Sequence, residues 1–271
     1  MIAEWQSLFG SQEGVSRMEA YTDFASVYDK FMDETPYEQW CDNILQVFRE
    51  YEIEDGLILE LGCGTGSMTE LLAAKGYDMI GVDYSEDMLH IAQEKKITSG
   101  HDILYLNQDM REFELYGTVK AVVSVCDSVN YLLEKEDIVA CFRLVNNYLD
   151  PKGIFFFDFN TTYKYEVVIG DTVIAENRED CSFIWENFYD PEEMLNEYDL
   201  TIFVREEQEN GQELFRKFEE THFQRGYTLE EMKAMIEEAG MVFVKAYDAD
   251  TLQEVTAESE RIYCIAQECG K

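Results

Sequence analysis

The chain has 271 residues, 46% of them hydrophobic and 14% aromatic, a composition that excludes disorder and suffices for a sizeable core in one large domain or one domain with an insertion. Its 57 acidic residues against 21 basic give a formal net charge of −36, which argues against a nucleic-acid or anionic-membrane partner, because both need lysine and arginine against phosphate. There is no run of 18 apolar residues, no basic-then-apolar start of a signal peptide and no paired C-x-x-C among the seven cysteines, so the expectation is a cytoplasmic protein with free thiols and no metal site.

In chain order, residues 1–17 show no sustained period and are expected to form an N-terminal extension that is free to be mobile. Tyr21 to Met32 is dense in aromatics. Thr35, Pro36 and Glu38 announce a helix through a capping threonine, a first-turn proline and a box glutamate. Trp40, Cys41, Ile44, Val47, Phe48 and Tyr51 follow at helical spacing and predict a face packed on a sheet. Leu57 to Met68 reads as an apolar strand that breaks into a glycine loop at Gly62, Gly64 and Gly66 and opens a helix, whose free N–H groups favour an anionic ligand. The strand from Tyr77 ends on Asp83, where an acid at a second-strand tip accepts from ribose hydroxyls. The dinucleotide fingerprint asks for G-x-G-x-x-G or G-x-G-x-x-A; here the third glycine comes one residue early and Ser67 takes the last place. A nucleoside-containing ligand is expected, its kind still open, beside the plainer alternative of a tight turn with no ligand.

Ser85 caps the next helix, with Glu86 and Asp87 in its first turn. Ile103 to Leu106 is a short strand leading to Asp109 and Met110, and Val119 to Val125 is a strand ending at Cys126 and Asp127. A helix with Ile138, Cys141, Phe142, Val145 and Leu149 on one face precedes a strand, Ile154 to Phe159, that closes on Asn160. This alternation specifies a doubly wound parallel α/β sheet. The period then changes. Cys181 to Tyr189, Leu195 to Glu207 and Gln212 to Arg225 read as an antiparallel meander of about three strands, inserted after the fifth strand, with a type I′ turn at Asn210 and Gly211. Residues 171–220 hold 16 acidic and 4 basic residues, so much of this element must face water. Thr228 and Glu231 form a capping box, Gly240 ends that helix, and Val242 to Tyr247 and Ile262 to Ala266 close the chain. The expected division is 1–17 extension, 18–160 cofactor-binding core, 161–226 inserted meander on the acceptor side or as a lid, and 227–271 the rest of the core.

Glu60 and Leu61 before the spacing Gly62-Cys63-Gly64-Thr65-Gly66 resemble motif I of the class I S-adenosylmethionine-dependent methyltransferases. The resemblance implies a Rossmann-like seven-stranded sheet and S-adenosylmethionine as cofactor, with S-adenosylhomocysteine as product. It implies cofactor contacts from Glu60, Gly62, Cys63, Gly64 and Gly66 and a ribose role for Asp83. Tyr84 and Met88 resemble the segment that packs on adenine, Asp109 and Met110 the pair that meets the adenine amino group and ring, and Cys126 and Asp127 the fourth-strand tip facing the cofactor. In the flanks, Tyr21, Phe24, Ala25, Tyr28 and Asp29, with Pro36, Tyr37 and Trp40, resemble a branch of small bacterial methyltransferases. The meander and the stretch His222 to Met232 are similar to sugar-amine N,N-dimethyltransferases and glycine/sarcosine-type N-methyltransferases. There N-terminal aromatics close over the cofactor and the inserted strands help build the acceptor pocket.

A sulfonium-activated methyl group needs alignment and dryness more than it needs a base. His222 and Asp127 are the base candidates; the alternatives are an ordinary strand histidine and an acid that merely ends a strand. Tyr21 and Tyr28 either contact the sulfonium by cation–π attraction or form a packed cluster. Asn160, Tyr163 and Tyr131 are expected in the acceptor pocket. Cys126-Asp127-Ser128-Val129 lacks the Asn/Asp-Pro-Pro-Tyr/Phe of amino-methylating nucleic-acid and glutamine enzymes, which favours a small-molecule acceptor, with N- and O-methylation and the oligomeric state open. The rival readings are a nicotinamide-dependent oxidoreductase, a non-catalytic S-adenosylmethionine-binding module and a methyltransferase of a protein partner.

Overall fold

The computed structural model describes residues 25–206 and 213–271; the stretch 1–17, Tyr21 and the Asn210-Gly211 turn lie outside them. Two helices lead the described chain, α1 (Ala25–Phe31) and α2 (Tyr37–Glu50). Then β1 (Leu57–Leu61), α3 (Ser67–Ala74), β2 (Asp78–Asp83), α4 (Glu86–Ser99), β3 (Ile103–Asn107), β4 (Val119–Ser124), α5 (Lys135–Tyr148) and β5 (Leu149–Asn160) alternate as their apolar periods predict. After a π-helical turn at Lys164–Ile169 come β6 (Val173–Asn177), β7 (Cys181–Asp190), β8 (Leu195–Glu206) and β9 (Leu214–Arg225), then α6 (Leu229–Glu238), β10 (Val242–Asp248) and β11 (Arg261–Gln267).

The main sheet runs β3-β2-β1-β4-β5-β11-β10, with β1 to β5 parallel and β11 antiparallel to both its neighbours. Strand order reverses between β1 and β4, and a ligand crevice is expected outside their carboxyl ends. Along β5 the period of two sends Phe155, Phe157 and Phe159 to a core shared with α5 and α6, and Ile154 and Phe156 to a core shared with α2, α3 and α4. Among the described residues no helix is long and apolar enough to cross a membrane.

Two expectations are corrected. Thr35 does not cap α2: Pro36 holds the cap position with no side-chain bond, because the turn Met32–Thr35 aims the Thr35 hydroxyl back at Met32 Sδ, 3.7 Å away. The second sheet has four strands, β6-β7-β8-β9, not about three. Its extra strand β6 lies exposed at the edge, so no buried face imposes the alternation that would reveal it. α1 packs Val27 onto Cys181, Leu200, Ile202 and Phe218 of this sheet, with Arg178 on Asp33 at 2.8 Å as a fastener. Asn130 joins the two sheets. Its amide donates to the carbonyls of Asn160 (2.9 Å) and Arg225 (2.7 Å) and accepts from Asn160 N–H (2.8 Å).

Candidate active site

The reversal between β1 and β4 opens into a cavity of about 240 Å³, walled by the β1–α3 loop, the tips of β2 and β4, α1 and the β9 residues Thr221 to Phe223. The loop turns because its glycines take positive φ: Gly62 at 68° and Gly64 at 52°. A Cβ on Gly62 would stand 2.6 Å from that of Ser128, whereas one on Gly64 would meet nothing within 4 Å. Gly64 therefore borders open space that a side chain would fill. Gly66 caps α3 from behind, against Tyr105 and Ala92; it is not on the cavity wall, which corrects its expected contact.

Asp83 ends β2 against this loop. Its Oδ2 accepts from Gly64 N–H at 2.7 Å and its Oδ1 from Ser85 N–H at 2.8 Å. Burial pushes its carboxyl up, opposed by the N–H groups of Ser85, Gly64 and Tyr84. Each oxygen keeps acceptor capacity toward the cavity. Beneath it, burial pushes Glu60 up to about 8, although the Thr69 hydroxyl donates to it, so Glu60 is largely protonated at neutral pH. Tyr84, Met88, Met110 and Leu132 give the cavity an apolar lining. Asp109 reaches the same wall, where Arg111 Nε donates to it at 2.9 Å while Arg111 Nη1 donates to Asp137 at 3.1 Å. Burial raises the Asp109 carboxyl, but the bonds from Arg111 more than offset this and hold it below the usual range.

At the β4 tip, Cys126 (φ 63°) and Asp127 (φ 52°) both adopt the left-handed region, a strained geometry for non-glycine residues. The buried Asp158 holds it by accepting both their N–H groups, at 3.1 and 2.7 Å. Cys126 faces the cavity with its thiol pushed up to about 12 by burial, and Tyr28 Oη lies 3.8 Å from its sulfur. Asp127 does not line the cavity: Arg261 and Gln224 each donate to its carboxylate at 2.7 Å. This ion pair turns it away from the role of cavity contact or base expected from the sequence.

Tyr28 and Tyr37 line the wall, as do Tyr131 and His222. Asn160 and Tyr163 do not, a second correction to the expected acceptor pocket. Asn160 is buried in bonds to Tyr165, Lys164 and Arg261, and Tyr163 sits at the start of the π-helical turn. The wall residues Tyr37, Arg111, Ser128, Leu132, Thr221 and Phe223 were not expected in the site. Tyr37 in the aromatic flank, Ser128 beside the fourth-strand tip and Phe223 in the stretch after His222 lay within motifs already singled out; Arg111, Leu132 and Thr221 did not. No cluster of His, Cys, Asp or Glu fit for a metal ion occurs among the described residues.

The open space at Gly64, the spare acceptors of Asp83 and the methionines of the cavity lining together suit a ligand with a ribose, a flat base and a slim tail. A crevice of this kind at a strand-order reversal defines an enzyme with a nucleoside-containing cofactor. The methyltransferase domain family matches residues 58–153. The methyltransferase-family protein YqeM of Bacillus subtilis (strain 168) is 40% identical over 248 residues, 91% of this chain and 96% of the relative. The crystal structure of an S-adenosylmethionine-dependent methyltransferase from Clostridium acetobutylicum ATCC 824 superposes with a TM-score of 0.82 at 27% identity, covering 93% of this chain and 100% of that one. The dTDP-3-amino-3,4,6-trideoxy-alpha-D-glucopyranose N,N-dimethyltransferase of Streptomyces venezuelae is 32% identical over 134 residues, 49% of this chain and 55% of its own. The chain belongs to the class I S-adenosylmethionine-dependent methyltransferases, and S-adenosylmethionine is its cofactor.

Proposed function

We propose that this methyltransferase acts on a small-molecule acceptor in the cytoplasm. The observation that carries this reading is the continuity of one cavity from the glycine loop to Thr221, His222 and Phe223 on β9. Its walls bring a cofactor end and an acceptor end together in one cavity. Asp83 holds the ribose hydroxyls; Glu60, Gly62, Cys63 and Gly64 border the methionine portion. Tyr84, Met88, Asp109 and Met110 hold the adenine, while Tyr28, Tyr37 and Cys126 line the middle of the cavity.

When bound, the cofactor supplies a methyl group already activated by its positive sulfur. What the chain must add is alignment and exclusion of water. α1 contributes to both: Asp29 on its last turn pairs with Lys95 of α4 at 2.7 Å and accepts from Thr65 of the glycine loop at 2.7 Å, which pins Tyr28 over the cavity. Protonation of Glu60 removes a competing negative charge beneath the loop.

The test has two stages. Calorimetric titration is expected to show micromolar binding of S-adenosylmethionine and S-adenosylhomocysteine and none of NAD. Release of S-adenosylhomocysteine is then measured across dTDP-linked amino sugars, amino acids and hydroxylated aromatics. Tight cofactor binding with no turnover of any of them would defeat the small-molecule reading.

A further inference from the structure

The antiparallel sheet β6-β7-β8-β9 ends differently on its two sides. Its β9 end walls the cavity through Thr221 to Phe223, whereas β6 lies at the far end with no strand beyond it among the described residues. The register shows which backbone groups that edge offers. Asn187 N–H donates to the Thr172 carbonyl at 3.0 Å, and Arg178 N–H donates to the Cys181 carbonyl at 2.8 Å. Bonded and non-bonded residues alternate along an antiparallel pair. Ile174 and Glu176, opposite Trp185 and Phe183, therefore bond to β7, while Val173, Ala175 and Asn177 turn their N–H and C=O groups outward. The side chains at this edge are apolar and open: Val173 is 62% and Ile174 42% exposed. The π-helical turn just before it adds exposed Val167 and Val168. Strand edges of monomers are commonly guarded by lysine, proline or a bulge. β6 has none of these, and its single acid, Glu176, is paired with Arg178 of the same chain.

We propose that this edge is the interface of a homodimer, in which β6 of one copy adds antiparallel to β6 of a second copy about a twofold axis at Ala175. The occupant is a second copy because the strand matches itself. With the axis at Ala175, Ala175 faces Ala175, Val173 faces Asn177 and Ile174 faces Glu176. Each outward N–H then meets an outward C=O, and no two acids lie opposite one another. An axis at Glu176 sets the two Glu176 side chains against each other, which is unfavourable for like charges directly opposite. An axis at Ile174 leaves Asn177 facing Asp171, beyond the end of the strand. Such a self-complementary patch closes after two copies and propagates no further. Charge selects the same place. Residues 171–220 hold 16 acidic and 4 basic residues, yet β6 contributes only the neutralised Glu176, so two strongly acidic chains approach here with little local repulsion. The dimer carries one continuous sheet with four strands from each copy. Its cavity walls on β9, at the opposite end of the sheet, are untouched.

The test is sedimentation of the full chain across a concentration series. A monomer–dimer equilibrium is expected, and it should tighten on going from about 0.1 M to about 1 M salt. Screening relieves repulsion between the acidic copies, while strand pairing and apolar burial persist. Ala175→Pro removes an outward N–H from each copy and keeps every β6–β7 bond, at a position where an edge strand tolerates proline. It should weaken the dimer by at least about tenfold, because both copies lose their bond across the axis. Ala175→Asp sets like charges across the axis and should weaken the dimer most at low salt. S-adenosylmethionine affinity by calorimetry should be unchanged in both variants, which reports an intact fold. A further readout needs no variant. Amide exchange in the wild-type chain should slow at Val173, Ala175 and Asn177 as concentration rises, with Ile174 and Glu176 unchanged. A monomer throughout the series, a dimer that salt dissociates, undiminished affinity in Ala175→Pro, or exchange that does not slow at those outward amides would each overturn the interface.

Discussion

Asp83 and Asp127 are acids at the tips of β2 and β4, the strands on either side of β1, and their partners assign them opposite consequences. Asp83 binds backbone N–H groups of the loop and the following turn and keeps acceptor capacity toward the cavity. Replacing it by alanine removes the acceptor proposed for the ribose hydroxyls, and hydrogen bonds to charged groups contribute about 1.5–3 kcal/mol. S-adenosylmethionine affinity measured by calorimetry should therefore fall by at least about tenfold, and wild-type affinity in Asp83→Ala would remove it from the ribose role. Asp127 instead neutralises Arg261, whose side chain is 14% exposed. Asp127→Asn should leave cofactor affinity intact and cost about 3 kcal/mol of stability, because among the described residues it leaves the buried guanidinium with Asp158 alone as charge partner. If urea unfolding showed no loss while cofactor binding weakened, Asp127 would belong to the site after all.

At the scale of elements, α6 is held at its start by a reciprocal box: Thr228 Oγ1 accepts from Glu231 N–H at 3.2 Å and Glu231 Oε2 accepts from Thr228 N–H at 3.0 Å. Thr228→Ala should lower stability by about 1 kcal/mol, read as a shift in urea midpoint with unchanged slope. That box, the Ser85 cap on Met88 N–H and the glycine loop were all legible in the sequence, because each is decided by residues within about four positions. The alternation of strands with helices likewise pointed to a doubly wound parallel sheet. The false cap at Thr35 shows the limit of local signals: a neighbouring turn outcompeted it for the hydroxyl. The cavity wall was legible where it follows one βαβ unit, as at Asp83. It was not legible where the wall depends on distant pairing. Arg261 is 134 positions from Asp127, and Asn160 is drawn inward by Arg261, 101 positions away. No periodicity or spacing encodes such choices, so Asp127, Asn160 and Tyr163 were expected on a wall that they do not reach.

For the molecule as a whole, charge and burial combine to make stability depend on pH. Glu60 has a folded pKa of about 8 against an ordinary 4.5, raised first by burial, opposed by the Thr69 bond and raised further by Asp83. Asp83 and Asp158 are shifted the same way by burial. For a raised carboxyl the folded state binds more protons than the unfolded one, so its contribution is fully present below the unfolded pKa and is lost as pH rises through the folded value. For Glu60 the window is 4.5 to about 8, and the loss across it is on the order of 5 kcal/mol at 1.36 kcal/mol per unit. Carboxylates held low, such as Asp109 and Glu231, have the opposite sign, but their stabilisation is lost only as pH falls below the ordinary carboxylate range, outside this window. Self-repulsion among the surplus acids also grows on the alkaline side, yet salt screens exposed charges and barely reaches buried ones. Urea unfolding between about pH 5 and 8 should therefore show stability falling with pH at both low and high ionic strength. Glu60→Gln should keep the salt-sensitive part of that slope and lose much of the salt-resistant part. A wild-type slope abolished by salt would assign the whole effect to the acidic surface and return Glu60 to an ordinary ionised acid.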